Sequence, residues 1–95
     1  MIPYKVPTKD MQFILKEMGL MDTLQSMPDC ADATPDLVDA ILEEAAKLAE
    51  QEIAPLNYDG DKQGAVYENG VVRTAEGWKA SYNTYVEGGW NSLPF

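Results

Sequence analysis

The fold is decided by residues 34–54, which read TPDLVDAILEEAAKLAEQEIA. Thr34 and Pro35 favour the start of a helix, because a threonine hydroxyl caps early backbone N–H groups and proline loses no hydrogen bond in the first turn. Asp36 and Asp39 add negative charge near the positive end of the helix dipole. One stripe is apolar and consists of Leu37, Val38, Ile41, Leu42, Ala45, Leu48, Ala49 and Ile53. The charged residues, which lie mostly off this stripe, are Asp39, Glu43, Glu44, Lys47 and Glu50. This pattern predicts a long amphipathic helix that ends near Ala54.

The segment before this helix carries a second, shorter helical pattern. Its apolar residues are Met11, Ile14, Leu15 and Met18. Their spacing predicts an amphipathic helix from about Thr8 to Met18, with Gly19 just past its end. A further turn or two is predicted from Leu20 to Met27, and residues 28–33 are predicted to form a loop.

The segment after the long helix contains the strongest hairpin signal in the chain. Asn69-Gly70 lies between Val66-Tyr67 and Val71-Val72, as in a two-residue β-hairpin. Before it, residues 57–64 are predicted to be a polar turn region. After it, Thr74 is predicted to cap a last helix that runs to Glu87 and stops at Gly88-Gly89, with coil from Trp90 to Phe95. The sequence therefore predicts a mainly α fold of short helices, one long amphipathic helix and a small β-hairpin.

Composition excludes several classes of function. The chain has 95 residues, 16 acidic and 7 basic side chains, no histidine and a net charge of −9. This charge repels phosphate backbones, so we expect no nucleic-acid binding. The lone cysteine excludes a disulfide framework, and no apolar run approaches the ~20 residues of a membrane span. Because no secretory signal is recognisable, we expect a cytoplasmic protein.

One segment partly copies the spacing of a calcium-binding loop. Its candidate ligands are Asn57, Asp59, Asp61 and Glu68. However, Lys62 stands where such a loop needs its turn glycine, and a frame that starts at Asp59 puts Gly70 where an acidic ligand is required. A solvated acidic segment is the better interpretation.

Other side chains with possible chemistry have simpler explanations. The carboxylates of Glu43, Glu44, Glu50 and Glu52 lack a nearby nucleophile and are interpreted as the solvated face of the helix. Cys30 is followed and preceded by acids (Asp29, Asp32 and Asp36), which oppose formation of a thiolate. The methionines at positions 1, 11, 18, 21 and 27 and the aromatic residues Trp78, Tyr82, Tyr85 and Trp90 are interpreted as packing residues rather than as a partner-binding or ligand-binding groove.

Three groups of residues carry a resemblance to a known family. The first is Tyr4-x-x-Pro7-x-x-Asp10-Met11-x-Phe13-x-Leu15. The second is Ile53-Ala54-Pro55-Leu56-Asn57, with Asp59 and Gly64 after it. The third is Val71-x-x-Thr74-x-x-Gly77-Trp78-x-x-x-Tyr82, followed by Glu87-Gly88-Gly89-Trp90-x-x-Leu93-Pro94. In this order and spacing they resemble the start of an acyl-CoA dehydrogenase, except that the family usually has a proline in place of Ala75.

The resemblance implies a role inside a larger enzyme. Residues 1–33 would be the N-terminal extension, with a short helix, of a longer-chain subgroup. Residues 34–95 would be the first, incomplete part of the family's all-α N-terminal domain. Full-length members are flavoproteins of fatty acid metabolism, oxidoreductases that use FAD to oxidise the Cα–Cβ bond of an acyl-CoA thioester. Their flavin contacts and catalytic glutamate come from later segments, so the resemblance assigns no catalytic, cofactor-binding or metal-binding residue to this chain.

Three hypotheses follow, of which the first is preferred. In the first hypothesis, the chain is a structural, non-catalytic N-terminal fragment of such a dehydrogenase. Its expected partners are the rest of that polypeptide, the acyl-CoA substrate and further copies in a homo-oligomer. The apolar end at Leu93-Pro94-Phe95 favours this hypothesis. The alternatives are a free-standing acidic helical protein-interaction module and, far less favoured, a small metal-dependent or carboxylate-based enzyme. Because the core of a 95-residue chain barely offsets its conformational entropy, we expect the isolated chain to self-associate or to need a partner surface.

The sequence makes one prediction about metal binding. We expect calcium neither to bind residues 57–68 with sub-millimolar affinity nor to shift the melting temperature, because Lys62 replaces the turn glycine. Isothermal titration calorimetry of the chain with CaCl₂ tests this. Tight one-to-one binding would contradict it and would favour the metal-dependent alternative.

Overall fold

The computed structural model describes residues 3–93 and confirms a mainly helical fold with one small antiparallel hairpin. The described chain divides into two compact units, one of residues 5–47 and the other of residues 48–93 with residues 3–4. The predictions for Met1, Ile2, Pro94 and Phe95 lie outside the described residues. Between residues 3 and 93, no helix is long and apolar enough to cross a membrane.

The unit of residues 5–47 contains three α-helices. They are α1 (Thr8–Gln12), α2 (Leu20–Gln25) and α3 (Pro35–Lys47). A π-helical turn, Phe13–Glu17, continues α1, and a 3-10 turn, Pro28–Cys30, follows α2. The expected loop over residues 28–33 is therefore wrong at its start, where Pro28 opens a tight helical turn.

The local signals in this unit act as the sequence predicts. Gly19 ends the first helical segment in the left-handed region, at φ 82°, where glycine has no Cβ to clash. The Thr34 hydroxyl accepts a hydrogen bond from the backbone N–H of Leu37 at 3.2 Å, which confirms the predicted cap of α3. The widened turn in the predicted Thr8–Met18 helix is new, since the N–H of Met18 bonds to the carbonyl of Phe13, five residues earlier, at 3.3 Å.

The unit of residues 48–93 contains two further α-helices and the hairpin. These elements are α4 (Asn57–Gln63), β1 (Val66–Glu68), β2 (Val71–Arg73) and α5 (Trp78–Glu87). A π-helical turn, Leu48–Ile53, and two 3-10 turns, Ala54–Leu56 and Trp90–Ser92, complete it.

The predicted long helix changes its winding before Ala54. It is α-helical to Lys47 and π-helical from Leu48 to Ile53. Pro55 has no N–H to continue the α-helical ladder, so carbonyls near it need other donors. The Ser81 hydroxyl of α5 donates to the backbone carbonyl of Glu52 at 3.2 Å and so joins α5 to the end of the π-helical turn.

The expectation of a polar turn over residues 57–64 is wrong, because residues 57–63 form α4. Local composition there, with Asn57, Asp59 and Gly60, disfavours a helix. Tertiary packing overrides it, since Gly60 is buried where a Cβ would lie 2.6 Å from the indole nitrogen of Trp78. The side-chain carbonyl of Gln63, at the end of α4, accepts a hydrogen bond from the N–H of Glu76 at 3.1 Å.

The hairpin is confirmed, and its turn is of the type that the sequence predicts. Asn69 and Gly70 both have positive φ, 51° and 78°, as a type I′ turn requires. Glu68 pairs with Val71 next to the turn, and Val66 pairs with Arg73 at the open end. All six strand residues are exposed.

The last helix begins three residues later than predicted, with Gly77 rather than Thr74 at the cap position. Gly77 has φ 89°, a left-handed conformation that an α-helix cannot pass through, so the helix begins at Trp78 and Thr74 does not cap it. Its predicted end at Glu87 and the glycines after it are confirmed. Trp90–Ser92 forms a 3-10 turn rather than coil.

Very little of the described chain is buried. Among residues 3–93 the buried hydrophobic side chains are Met21, 3% exposed, and Ala75, 8% exposed, and Gly60 is the buried glycine. On the long helical segment, Val38, Leu42, Ala45, Leu48 and Ala49 are half-buried, whereas Leu37, Ile41 and Ile53 are exposed. The predicted stripe is therefore only partly covered.

The contact between Gly60 and Trp78 gives a stability prediction with an unusual sign. Gly→Ala inside a helix normally stabilises by about 1 kcal/mol. Gly60→Ala should instead destabilise by about 1–3 kcal/mol, because its Cβ would overlap the indole ring. In a Trp78→Leu background the same change should become neutral or stabilising. Urea unfolding of the four proteins of this cycle measures the effect, and equal effects in both backgrounds would contradict it.

Candidate functional site

A small cleft lies beside Trp78 in the unit of residues 48–93. Its volume is about 130 Å³, and its lining consists of Gly60, Gly64, Ala65, Thr74, Ala75 and Trp78. The polar side-chain groups in this lining are the hydroxyl of Thr74 and the indole N–H of Trp78. Ligand pockets usually measure about 300–1,000 Å³. The cleft therefore offers no acid, base or nucleophile and is small for a cofactor.

The carboxylates that the sequence singled out on the long helix do not form an acid–base pair. Glu44 accepts a hydrogen bond from the Lys47 ammonium at 2.9 Å. This hydrogen bond, together with the charge of Glu44, raises the pKa of Lys47 above its ordinary value. Glu43 and Glu52 are exposed. The pair of Glu44 and Lys47 is a surface ion pair, which contributes little to stability because water screens it.

The calcium-loop candidates do not converge on a common point. Asn57, Asp59 and Asp61 are all exposed on α4, where a spacing of two residues turns neighbours about 200° apart. Glu68 lies on β1. Within residues 3–93 no three acidic or cysteine side chains come close enough together to hold a metal ion.

Cys30 and the aromatic residues also remain apart from any reactive group. The Cys30 thiol is half-buried, and Asp29, Asp32 and Asp36 around it in sequence are exposed. The interpretation of the aromatic residues as core is wrong for two of them, since Tyr82 is 62% exposed and Trp78 is also exposed. The rings of Tyr82 and Tyr85 tilt against each other with centroids 6.1 Å apart.

The most distinctive surface is an exposed apolar face on α1 and its π-helical turn. We call it the outer face, and it consists of Met11, Phe13, Ile14 and Met18, all of which are exposed. Because the short elements of this chain can cover each other only partly, the sequence predicts that the apolar residues of this segment leave an exposed patch. The structure agrees, since Leu15 is half-buried and Met11, Phe13, Ile14 and Met18 are exposed. The interpretation of these methionines as packing residues is confirmed for Met21 and wrong for Met11, Met18 and Met27, which are exposed.

The opposite side of the same segment faces α3. The half-buried residues there are Thr8, Gln12, Leu15, Lys16 and Gly19, which recur at helical spacing. The Lys16 ammonium forms an ion pair with Asp39 of α3. The second oxygen of Asp39, Oδ1, is buried and has no hydrogen-bond partner among the described residues. The ion pair therefore fixes which side of α1 is covered and leaves the outer face in solvent.

The sequence places Asp39 near the positive end of the helix dipole and gives Lys16 no role, so it predicts no pairing between them. Both read as ordinary charges on the polar sides of two amphipathic helices. The sequence did contain a sign that these two charges are partly covered. Lys16 lies next to the apolar Leu15, and Asp39 lies next to the apolar Val38. Their pairing depends on how two distant segments meet, which helical periodicity does not describe.

Comparison with known proteins supports the resemblance to the acyl-CoA dehydrogenases. The chain is 33% identical over 90 residues to the 3-methylmercaptopropionyl-CoA dehydrogenase of Ruegeria pomeroyi. The match covers 95% of this chain but 15% of the relative, so the chain spans less than a sixth of that relative's length. No family model matches the chain.

The ion pair between Lys16 and Asp39 gives a stability prediction. Lys16→Met should destabilise the chain by about 1 kcal/mol, because it leaves a partly buried carboxylate without its partner. The double variant with Asp39→Leu should recover most of that loss. Urea unfolding measures both, and Lys47→Met, which breaks an exposed pair, serves as the control with little effect. Additive losses in the double variant would contradict the prediction.

Proposed function

We propose that this chain is the N-terminal helical part of an FAD-dependent acyl-CoA dehydrogenase, with a structural role and no catalytic residue of its own. The observation that carries the proposal is the 33% identity over 95% of the chain to a dehydrogenase that is much longer. The order of sequence motifs from Tyr4 to Leu93 supports the same family. The α,β-dehydrogenation of an acyl-CoA thioester is then a property of the whole polypeptide.

The cleft beside Trp78 does not fit a flavin. At about 130 Å³ it is below the usual size of a cofactor pocket, and its polar side-chain groups are the hydroxyl of Thr74 and the indole N–H of Trp78, without a charged side chain for a pyrophosphate. We therefore assign FAD binding to the remainder of the polypeptide. The acyl-CoA substrate, membership of the longer-chain subgroup, a role in fatty acid metabolism, homo-oligomeric assembly and a cytoplasmic location belong to the same proposal.

The exposed apolar surface supports a structural role in this larger protein. In the unit of residues 48–93, the exposed side chains include Tyr58, Tyr67, Val72, Trp78 and Tyr82. Exposed apolar groups of this kind mark surfaces that other protein surfaces cover. The same exposed surface would also suit a free-standing acidic interaction module, which is the second candidate. An experiment must distinguish this module from the N-terminal part of a dehydrogenase.

A segment exchange tests the proposal. The matching N-terminal segment of the Ruegeria pomeroyi enzyme is replaced by this chain, and dehydrogenation of 3-methylmercaptopropionyl-CoA is measured beside the intact enzyme and an enzyme without that segment. We expect the exchanged protein to bind flavin and to retain activity within about tenfold of the intact enzyme, because a structural segment contributes packing rather than reacting groups.

The free 95-residue chain is the second control. It should show no flavin absorbance band and no turnover of acyl-CoA, since the proposal assigns both to the remainder of the enzyme. A stoichiometric flavin band in the free chain would contradict the structural role. If the exchanged protein is no more active than the enzyme without the segment, the family assignment is contradicted and the free-standing module is favoured.

A further inference from the structure

The outer face on α1 and its π-helical turn has the residue pattern of an amphipathic helix that binds in a groove. Met11, Ile14 and Met18 follow the spacing i, i+3, i+7, by which amphipathic helices place anchors in a hydrophobic groove. Ile14 is 52% exposed and Met18 is 68% exposed, although both are apolar. The π-helical hydrogen bond from Met18 to the carbonyl of Phe13 brings Phe13 and Met18 onto successive turns of one surface.

The orientation of this helix is enforced rather than incidental. On the covered side, Lys16 pairs with Asp39, whose other carboxylate oxygen is buried. Rotating α1 to bury Ile14 and Met18 against α3 would separate this ion pair and leave a buried carboxylate unpaired, which is costly. The apolar face therefore stays outward, available for another surface.

Charge indicates what kind of surface covers it. Asp10, Ile14 and Glu17 follow the spacing i, i+4, i+7, so two acidic side chains lie on the same side of the helix as the apolar anchors. Both acids are exposed. A complementary surface has an apolar groove with lysine or arginine side chains beside it.

A second copy of this chain does not provide such a surface. Residues 5–47 contain nine acidic side chains against four basic ones. Of the basic ones, Lys16 and Lys47 are already paired with acids of their own unit. Beside the outer face, Asp10 and Glu17 outnumber the exposed Lys9, so two outer faces brought together would meet with an excess of like charge, which opposes association.

We propose that the outer face docks into an apolar groove, edged by basic side chains, on the part of the dehydrogenase polypeptide that follows this segment. This inference rests on the proposed function, in which 85% of the length of the relative lies outside the match. Met11, Ile14 and Met18 are the anchors, and Asp10 and Glu17 pair with the basic edge. The helix would thereby fix the N-terminal segment to the body of the enzyme.

Methionine oxidation by hydrogen peroxide tests the docking, because the rate of sulfoxide formation follows exposure of the sulfur. In the free chain, Met18 and Met27, both exposed, should oxidise at similar rates. In the exchanged protein with the body of the Ruegeria pomeroyi enzyme, Met18 should oxidise about tenfold more slowly, whereas Met27, which lies off the outer face, should change little. Peptide mass spectrometry reads each site separately.

The charge of the partner surface is tested with matched variants in the exchanged protein. Glu17→Lys should restore much of the Met18 oxidation rate, because it places a cation against the basic edge. Asp29→Lys makes the same charge change at an exposed position off the outer face and should leave Met18 protected. Equal oxidation rates for the two variants would overturn the assignment of a basic edge.

Failure of this inference is distinct from failure of the proposed function. An exchanged protein that is active but oxidises Met18 as fast as the free chain overturns the docking and leaves the proposed function standing. Protection of Met18 in the free chain that grows with concentration also overturns the docking, since a second copy then covers the face. An inactive exchanged protein, no better than the deletion, overturns the proposed function instead.

Discussion

The limited burial of apolar surface is the constraint that shapes this structure. A fold is stabilised mainly by such burial, and the described chain buries few apolar side chains. Met21 and Ala75 are the buried hydrophobic side chains between residues 3 and 93, and Gly60 is buried only because the indole of Trp78 lies against it. Each unit is held by a few contacts of this kind together with local hydrogen bonds. Isoleucine, valine, tyrosine and tryptophan side chains are exposed in the described chain, and the proposed function accounts for them as surface that the rest of a larger protein covers.

Within each unit, a polar contact joins two helical segments at a place where apolar side chains usually pack. In the unit of residues 5–47, the pair of Lys16 and Asp39 lies between α1 and α3, while Ile14 and Met18 face solvent. In the unit of residues 48–93, the Ser81 hydroxyl joins α5 to the carbonyl of Glu52. Such contacts fix geometry at modest gain in stability. The arrangement suits a segment whose apolar groups are reserved for a partner surface.

The functional conclusion follows from this distribution rather than from a reactive centre. Between residues 3 and 93, no three acidic or cysteine side chains come close enough together to hold a metal ion, and the cleft beside Trp78 is smaller than a usual ligand pocket. The chain is similar to a small part of a much longer dehydrogenase. In the proposed function, the remainder of such a protein covers the exposed apolar surface. Under the proposed function, catalysis belongs to the whole polypeptide, and this segment contributes the surface that it packs against the remainder.

The sequence by itself determined the mainly helical class, the Thr34 cap, the stop at Gly19 and the hairpin at Asn69-Gly70. Each of these depends on a backbone conformation or hydrogen bond within a few residues, so local chemistry is sufficient. Tertiary structure alone decided that residues 57–63 are helical and which side of the first helical segment, residues 8–18, is covered. The first depends on the ring of Trp78 above Gly60, and the second on an ion pair between residues 23 positions apart. Helical periodicity finds an apolar face but carries no information about which surface meets it.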